Sequence, residues 1–167
     1  MYNVPLMSRR RRFLTQKGER GITLLEILVV TAIVLLLSSM ALAAFGTFRA
    51  RKTMDVTVEV VMTSFGRARL DTISSKDDQQ YGVHLESDKA VYFIGPTYSS
   101  GAPTNIVYAV DPVLEIANVT LTGGGSEVLF NRLTGGTGQS GTFEIRLKGN
   151  TSIRTLITVN GTGAVTL

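Results

Sequence analysis

The chain contains no cysteine and a single histidine, His84. The first absence excludes disulfides, thiolate catalysis and Cys-based zinc sites. Any exported part of such a chain must hold its fold by core packing alone. His84 alternates with apolar residues and has no cysteine near it, so it reads as structural or exposed rather than as a metal ligand. Nucleophilic catalysis by serine needs a base and an orienting acid, and no such arrangement is recognisable. The Gly-rich stretches "TGGGS" and "GGTGQSG" lack the Lys and Ser/Thr of a phosphate-binding loop and read as turns. No catalytic residue, metal site or cofactor is expected.

A broad basic face is missing too. The net charge is +4, but residues 1–21 hold six Lys/Arg against one Glu, a net +5. The remaining eleven Lys/Arg against twelve Asp/Glu leave a net −1. The basic character belongs to a short N-terminal stretch, and the totals imply no nucleic-acid-binding surface.

The third absence is the informative one. Between Glu26 and Arg49 lie 22 residues without a charge, mostly Leu, Val, Ile, Ala and Met. As a helix they reach about 33 Å, enough to cross a bilayer core. Ile27 to Phe48 is therefore the expected transmembrane segment. Arg9 to Arg12 outnumber Arg49, Arg51 and Lys52, which predicts a cytoplasmic N-terminus and an extracytoplasmic remainder. A core helix is the poorer reading, since little chain remains to wrap a helix that is apolar all round. A secretory signal would have a shorter apolar run, about 7–15 residues.

Glu26 stands at the edge of that run. An acid entering hydrocarbon costs roughly 3 kcal/mol unless it is paired, so it is either the last hydrated residue or a functional one. Basic leader, Gly21, then Ile22-Thr23-Leu24-Leu25-Glu26 and the apolar helix: this string resembles the class III signal of type IV prepilins. The resemblance implies cleavage by a prepilin peptidase after Gly21 and N-methylation of Ile22, although the family usually carries Phe there. It also implies that Glu26 neutralises the new ammonium of a neighbouring subunit, forming an assembly charge pair. The physics is consistent, because two charges that are each costly in low dielectric become tolerable together. Gly21, lacking a Cβ, lets a protease approach the backbone closely.

Beyond the span, Met54, Val58, Val61, Phe65 and Ala68 recur at helical spacing, with Asp55, Glu59, Arg67 and Arg69 on other faces. One helix of about 75 Å is expected from about Ile22 to about Thr72, ended by Ser74-Ser75-Lys76-Asp77-Asp78. From Gln80 the period changes to two. "YGVHLES" and "KAVYFIG" predict a hairpin across Ser87-Asp88, and further strands fit "NIVYAV", "LEIANVTLT", "EVLFN", "GTFEIRLKG", "SIRTLITVNG" and "GAVTL". The expected fold class is α+β, with an antiparallel β-domain covered by the helical stripe.

This layout resembles a pilin or pseudopilin. Its late pattern "LFNRLTGGTGQSGTFEIRLKG…IRTLITVNGTGAVTL" is most similar to the H-type minor pseudopilin and FimT-like branch. The implied organisation is a leader at 1–21, a transmembrane assembly helix at 22–48, its amphipathic continuation at 49–74 and an extracytoplasmic β-domain at 75–167. Implied partners are prepilin peptidase, homologous pilin or pseudopilin subunits, inner-membrane lipid and an assembly platform.

Two lesser possibilities concern the β-domain. Asp77 with Asp78, or Asp111 with Glu115, could offer oxygens to calcium, but neither pair has a calcium-loop spacing. Arg146 and Lys148 share a strand face with Glu144, and Arg154 is expected across from them. The terminal "NGTGAVTL" carries no positive charge, so DNA is not expected as a partner. The expected function is a structural, minor-type subunit of a type IV pilus or a type II secretion pseudopilus. The alternatives are a DNA-uptake minor pilin and a plain single-span anchored domain.

Overall fold

The computed structural model describes residues 21–167, so the expected leader lies outside the described residues except for Gly21. Helix α1 spans Leu24–Ile73, 50 residues. Eight strands follow: β1 (Tyr81–Glu86), β2 (Lys89–Ile94), β3 (Ile106–Ala109), β4 (Leu114–Leu121), β5 (Glu127–Leu129), β6 (Gly141–Leu147), β7 (Asn150–Val159) and β8 (Val165–Thr166). The chain divides within α1 into two units, the first described over 21–42 and the second being Ala43–Leu167.

In the first unit the described residues are helix with apolar side chains on every face. Among the described residues nothing covers them: Leu24 is 82 % and Leu42 75 % exposed. In the second unit the same helix becomes one-sided. Met54, Val58, Val61, Phe65 and Ala68, the stripe read from spacing, are all buried. They recur every three or four residues and so fall on one face.

That face lies on two antiparallel sheets ordered β3-β2-β1-β5 and β4-β6-β7-β8. The β1–β2 hairpin turns at Ser87-Asp88, with Glu86 opposite Lys89 and Tyr81 opposite Ile94. In the second sheet β6 is central, pairing Ile145 with Ile116 on β4 and with Thr155 on β7. Strand alternation sends Phe143, Ile145, Ile157 and Val159 inward to meet the helix. Phe65 stacks on Phe143 with ring centroids 5.7 Å apart. Burying aromatic pairs of this kind supplies a large share of core stabilisation.

The helix ends at Ile73 because Ser75 turns left-handed, at φ 48°, before a single 3-10 turn over Lys76–Asp78. The join to β1 is a buried polar contact. Thr72 donates its hydroxyl to Ala68 O at 2.7 Å and accepts the Tyr81 N–H at 3.2 Å.

In the same last turns of α1, Arg69 donates from Nε to Gly135 O at 3.2 Å and from Nη2 to Thr162 O at 3.3 Å. It thereby ties two glycine turns to α1. Gly163 has φ +76°, and a Cβ there would sit 1.8 Å from Gly135 O, so only glycine fits.

Thr72→Val keeps the volume and removes the acceptor, stranding the buried Tyr81 N–H. Urea unfolding of the detergent-solubilised full chain is expected to show a loss of about 1–3 kcal/mol. An unchanged midpoint would mean that this bond does not hold the join.

Candidate functional site

The start of α1 is built locally. Thr23 Oγ1 accepts the backbone N–H of Glu26 at 3.1 Å, and Thr23 O accepts the N–H of Ile27 at 3.2 Å. Thr23 is thus the N-cap, and Glu26 falls three residues on, in the first turn. Free N–H groups give that end partial positive charge, which favours a carboxylate there. Among the described residues no cation lies within ion-pair distance of Glu26.

The stretch that contains it, Leu24–Leu42, has a mean hydropathy of 2.5 over 19 residues, none of it buried against the other described residues. That stretch rises about 28 Å, the thickness of a bilayer core. The segment therefore combines an N-terminal glycine, a capped first turn, one acid and an uncovered apolar helix. Such an arrangement offers no acid–base pair and no nucleophile. It can insert, and it can pack.

The β-domain residues singled out by sequence are used internally. Arg146 Nε donates to Glu115 Oε1 at 2.7 Å, and Arg154 faces Glu144 at 3.6 Å. Arg146 and Arg154 do stand opposite each other on β6 and β7, as expected. Lys148 donates to Pro112 O at 2.9 Å. The basic face is thus balanced by acids on the same strands, which leaves little net attraction for phosphate.

The four acids weighed for calcium are likewise engaged. Asp78 pairs with Arg132, Asp77 accepts from the Tyr81 hydroxyl at 3.5 Å, Asp111 caps the Val113 N–H at 3.0 Å and Glu115 holds Arg146. Among the described residues no three His, Asp or Glu side chains converge as a metal site.

His84 has neighbours that one-dimensional reading missed. Its ring stacks on Tyr98 at 3.9 Å between centroids, and Nδ1 lies 3.5 Å from Glu127 Oε1. Glu127 comes from β5, beside β1 in the sheet but far along the chain. The Tyr98 hydroxyl donates to Glu86 at 3.2 Å, so this cluster pins the loop after β2.

Tyr92 donates its hydroxyl to Asp71 Oδ2 at 2.7 Å, beneath the Arg67 guanidinium at 5.1 Å from the ring centre. Burial, and then that bond to a carboxylate, pushes the Tyr92 phenol far above its ordinary range, so it stays a donor.

Residues 16–42 match the family described as the prokaryotic N-terminal methylation motif. A crystal structure of the type IV minor pilin FimU from Pseudomonas aeruginosa PAO1 superimposes with a TM-score of 0.53 at 16 % identity. That match covers 72 % of this chain and 91 % of FimU. A second crystal form of FimU gives a TM-score of 0.48 at 16 % identity, covering 68 % and 90 %. No curated protein matches the chain. The long apolar helix with its two antiparallel sheets is a pilin fold.

The Tyr92 bond has a pH signature. An unfolded tyrosine ionises near pH 10, while the folded phenol resists ionisation, so the stabilisation is complete below pH 10 and fades as pH rises beyond it. Tyr92→Phe is expected to flatten the alkaline loss in urea midpoints between pH 9 and about 11. The same slope in variant and parent would show that Tyr92 is not its source.

Proposed function

We propose that this chain, which joins an N-methylation motif to the pilin fold of the type IV pilin superfamily, is a minor-type structural subunit of an envelope filament. It is made as a precursor and cut after Gly21 by a prepilin peptidase. Ile22 becomes the methylated N-terminus. The apolar helix, with Ile27 to Phe48 as its span, holds the subunit in the inner membrane, β-domain outside, until the assembly platform extracts it. It then packs against homologous helices. Pilus and secretion pseudopilus share this requirement.

One observation carries the reading. Among the described residues a 19-residue apolar stretch has no cover, and the single acid in its first helical turn has no cation. Covering each Leu, Ile or Val is worth about 1.5–3 kcal/mol, which lipid or sister helices can supply. The acid calls for a cation at the same depth. Cleavage after Gly21 would create one on Ile22, and at about 4 Å the attraction is about 4 kcal/mol at intermediate dielectric. DNA binding gains no support from a basic face already matched by Glu115 and Glu144.

Two variants in the native host separate processing from assembly. Gly21→Val is expected to leave a full-length, membrane-bound precursor on immunoblots, and normal shortening would refute cleavage at that bond. Glu26→Gln keeps the shape and the cap but loses the charge. It is expected to insert and be processed normally yet to be largely absent from sheared filaments, because breaking a buried ion pair costs about 3–5 kcal/mol. Incorporation at the parental level would rule out the charge-pair account. A chain that is never shortened at all would be a plain anchored domain.

A further inference from the structure

The uncharged run ends at Phe48, and Arg49, Arg51 and Lys52 follow at once. In the second unit, two β-turns close on the helix at that changeover and leave a slot of about 420 Å³. Gly46, Arg49 and Thr53 of α1 line one side of it, and Asp111, Val113 and Leu147 the other. The two turns are tied to each other. Lys148 donates its backbone N–H to Val113 O at 3.0 Å and its Nζ to Pro112 O at 2.9 Å. An ammonium has three donors, so two remain for a further acceptor beside the slot.

Four exposed cations gather here, Arg49, Arg51, Lys52 and Lys148. None has a carboxylate within ion-pair distance among the described residues. Two acids stand near them. Asp111 turns Oδ1 to the Val113 N–H at 3.0 Å, and Asp55 shares a separate cleft with Arg51. Setting Arg51 against Asp55 leaves Arg49, Lys52 and Lys148 against Asp111, three minus one, a net +2. Exposed Phe45, Phe48 and Val113 add apolar surface beside those charges. Basic and apolar side chains mixed at the end of an apolar helix suit a bilayer interface. Covalent continuity sets the level, because Arg49 directly follows the last residue of the expected span.

We propose that this slot holds the headgroup of an anionic phospholipid from the extracytoplasmic leaflet. The Arg49 fork takes the phosphate diester, a geometry that guanidinium matches with two parallel bonds, and Lys148 and Lys52 supply further positive charge. Val113 and Leu147 lie along the start of the acyl chains. The inference rests on the membrane-held state of the proposed function and adds a lipid class to it. It also gives the β-domain a seat on the bilayer, which each subunit gives up when it is extracted.

The absence of cysteine lets a single introduced thiol carry a dye. Gly149→Cys is suitable, since a Cβ there meets nothing within 4 Å. The labelled full-length chain is reconstituted in vesicles of phosphatidylcholine with a rising share of phosphatidylglycerol, both containing a lipid with a nitroxide on its headgroup. Quenching is expected to grow with the phosphatidylglycerol share and to stay low in phosphatidylcholine alone. Arg49→Gln and Lys148→Gln are each expected to raise the share needed for half the effect about fivefold. Arg49→Lys with Lys148→Arg is expected to keep the response, which separates charge from folding. Equal quenching in both kinds of vesicle, or an unchanged response in the Gln variants, would overturn the proposal. Release of the seated domain by inorganic phosphate would overturn the lipid assignment in favour of a free anion. Leu35→Cys, read with a quencher on the acyl chains, reports the span separately. Quenching at Leu35→Cys without a phosphatidylglycerol response at Gly149→Cys defeats this inference and leaves the membrane reading standing, whereas no quenching at either place defeats both.

Discussion

One helix has to serve two different surroundings, and most of this molecule follows from that. From Leu24 to Leu42 its side chains, Glu26 apart, are apolar nearly all round and uncovered by the other described residues. From Met54 to Ala68 only one face is apolar, and it is buried on the protein's own sheets. Hydrophobic burial is not directional, so the two stretches differ only in what covers them. In the second unit the chain supplies the cover through Phe143, Ile145 and Ile157. In the first the cover must come from lipid or from other helices.

The charges obey the same division. In the β-domain several cations and acids are matched with each other, as in Arg146 with Glu115 and Arg154 with Glu144. Surface pairs of that kind contribute little stability, but they leave a surface of small net charge. Glu26, in the apolar segment, has no cation within ion-pair distance among the described residues. The filament reading gives it a partner in another copy. That partner is the new amine of a neighbouring subunit.

Much of this was legible in the sequence because it is written in local periodicity. The 3–4 spacing of Met54, Val58, Val61, Phe65 and Ala68 marks the buried face, and the two-residue alternation from Tyr81 onward marks the strands. Ser87-Asp88 and the glycine runs mark the turns. The Gly21–Glu26 string is a contiguous motif that needs no fold to be recognised. The contacts that escaped are those between distant residues. Arg69 looked like a solvated helix residue, yet it binds carbonyls of Gly135 and Thr162. His84 looked isolated until the sheet set Glu127 beside it.

The account stands on the exchange of a basic leader for a buried amine next to a carboxylate. Intact-mass and N-terminal peptide mass spectrometry of the protein from its native membrane tests this most directly. The account predicts a chain beginning at Ile22, with a methyl group on its nitrogen. A chain that still begins at Met1 would contradict it.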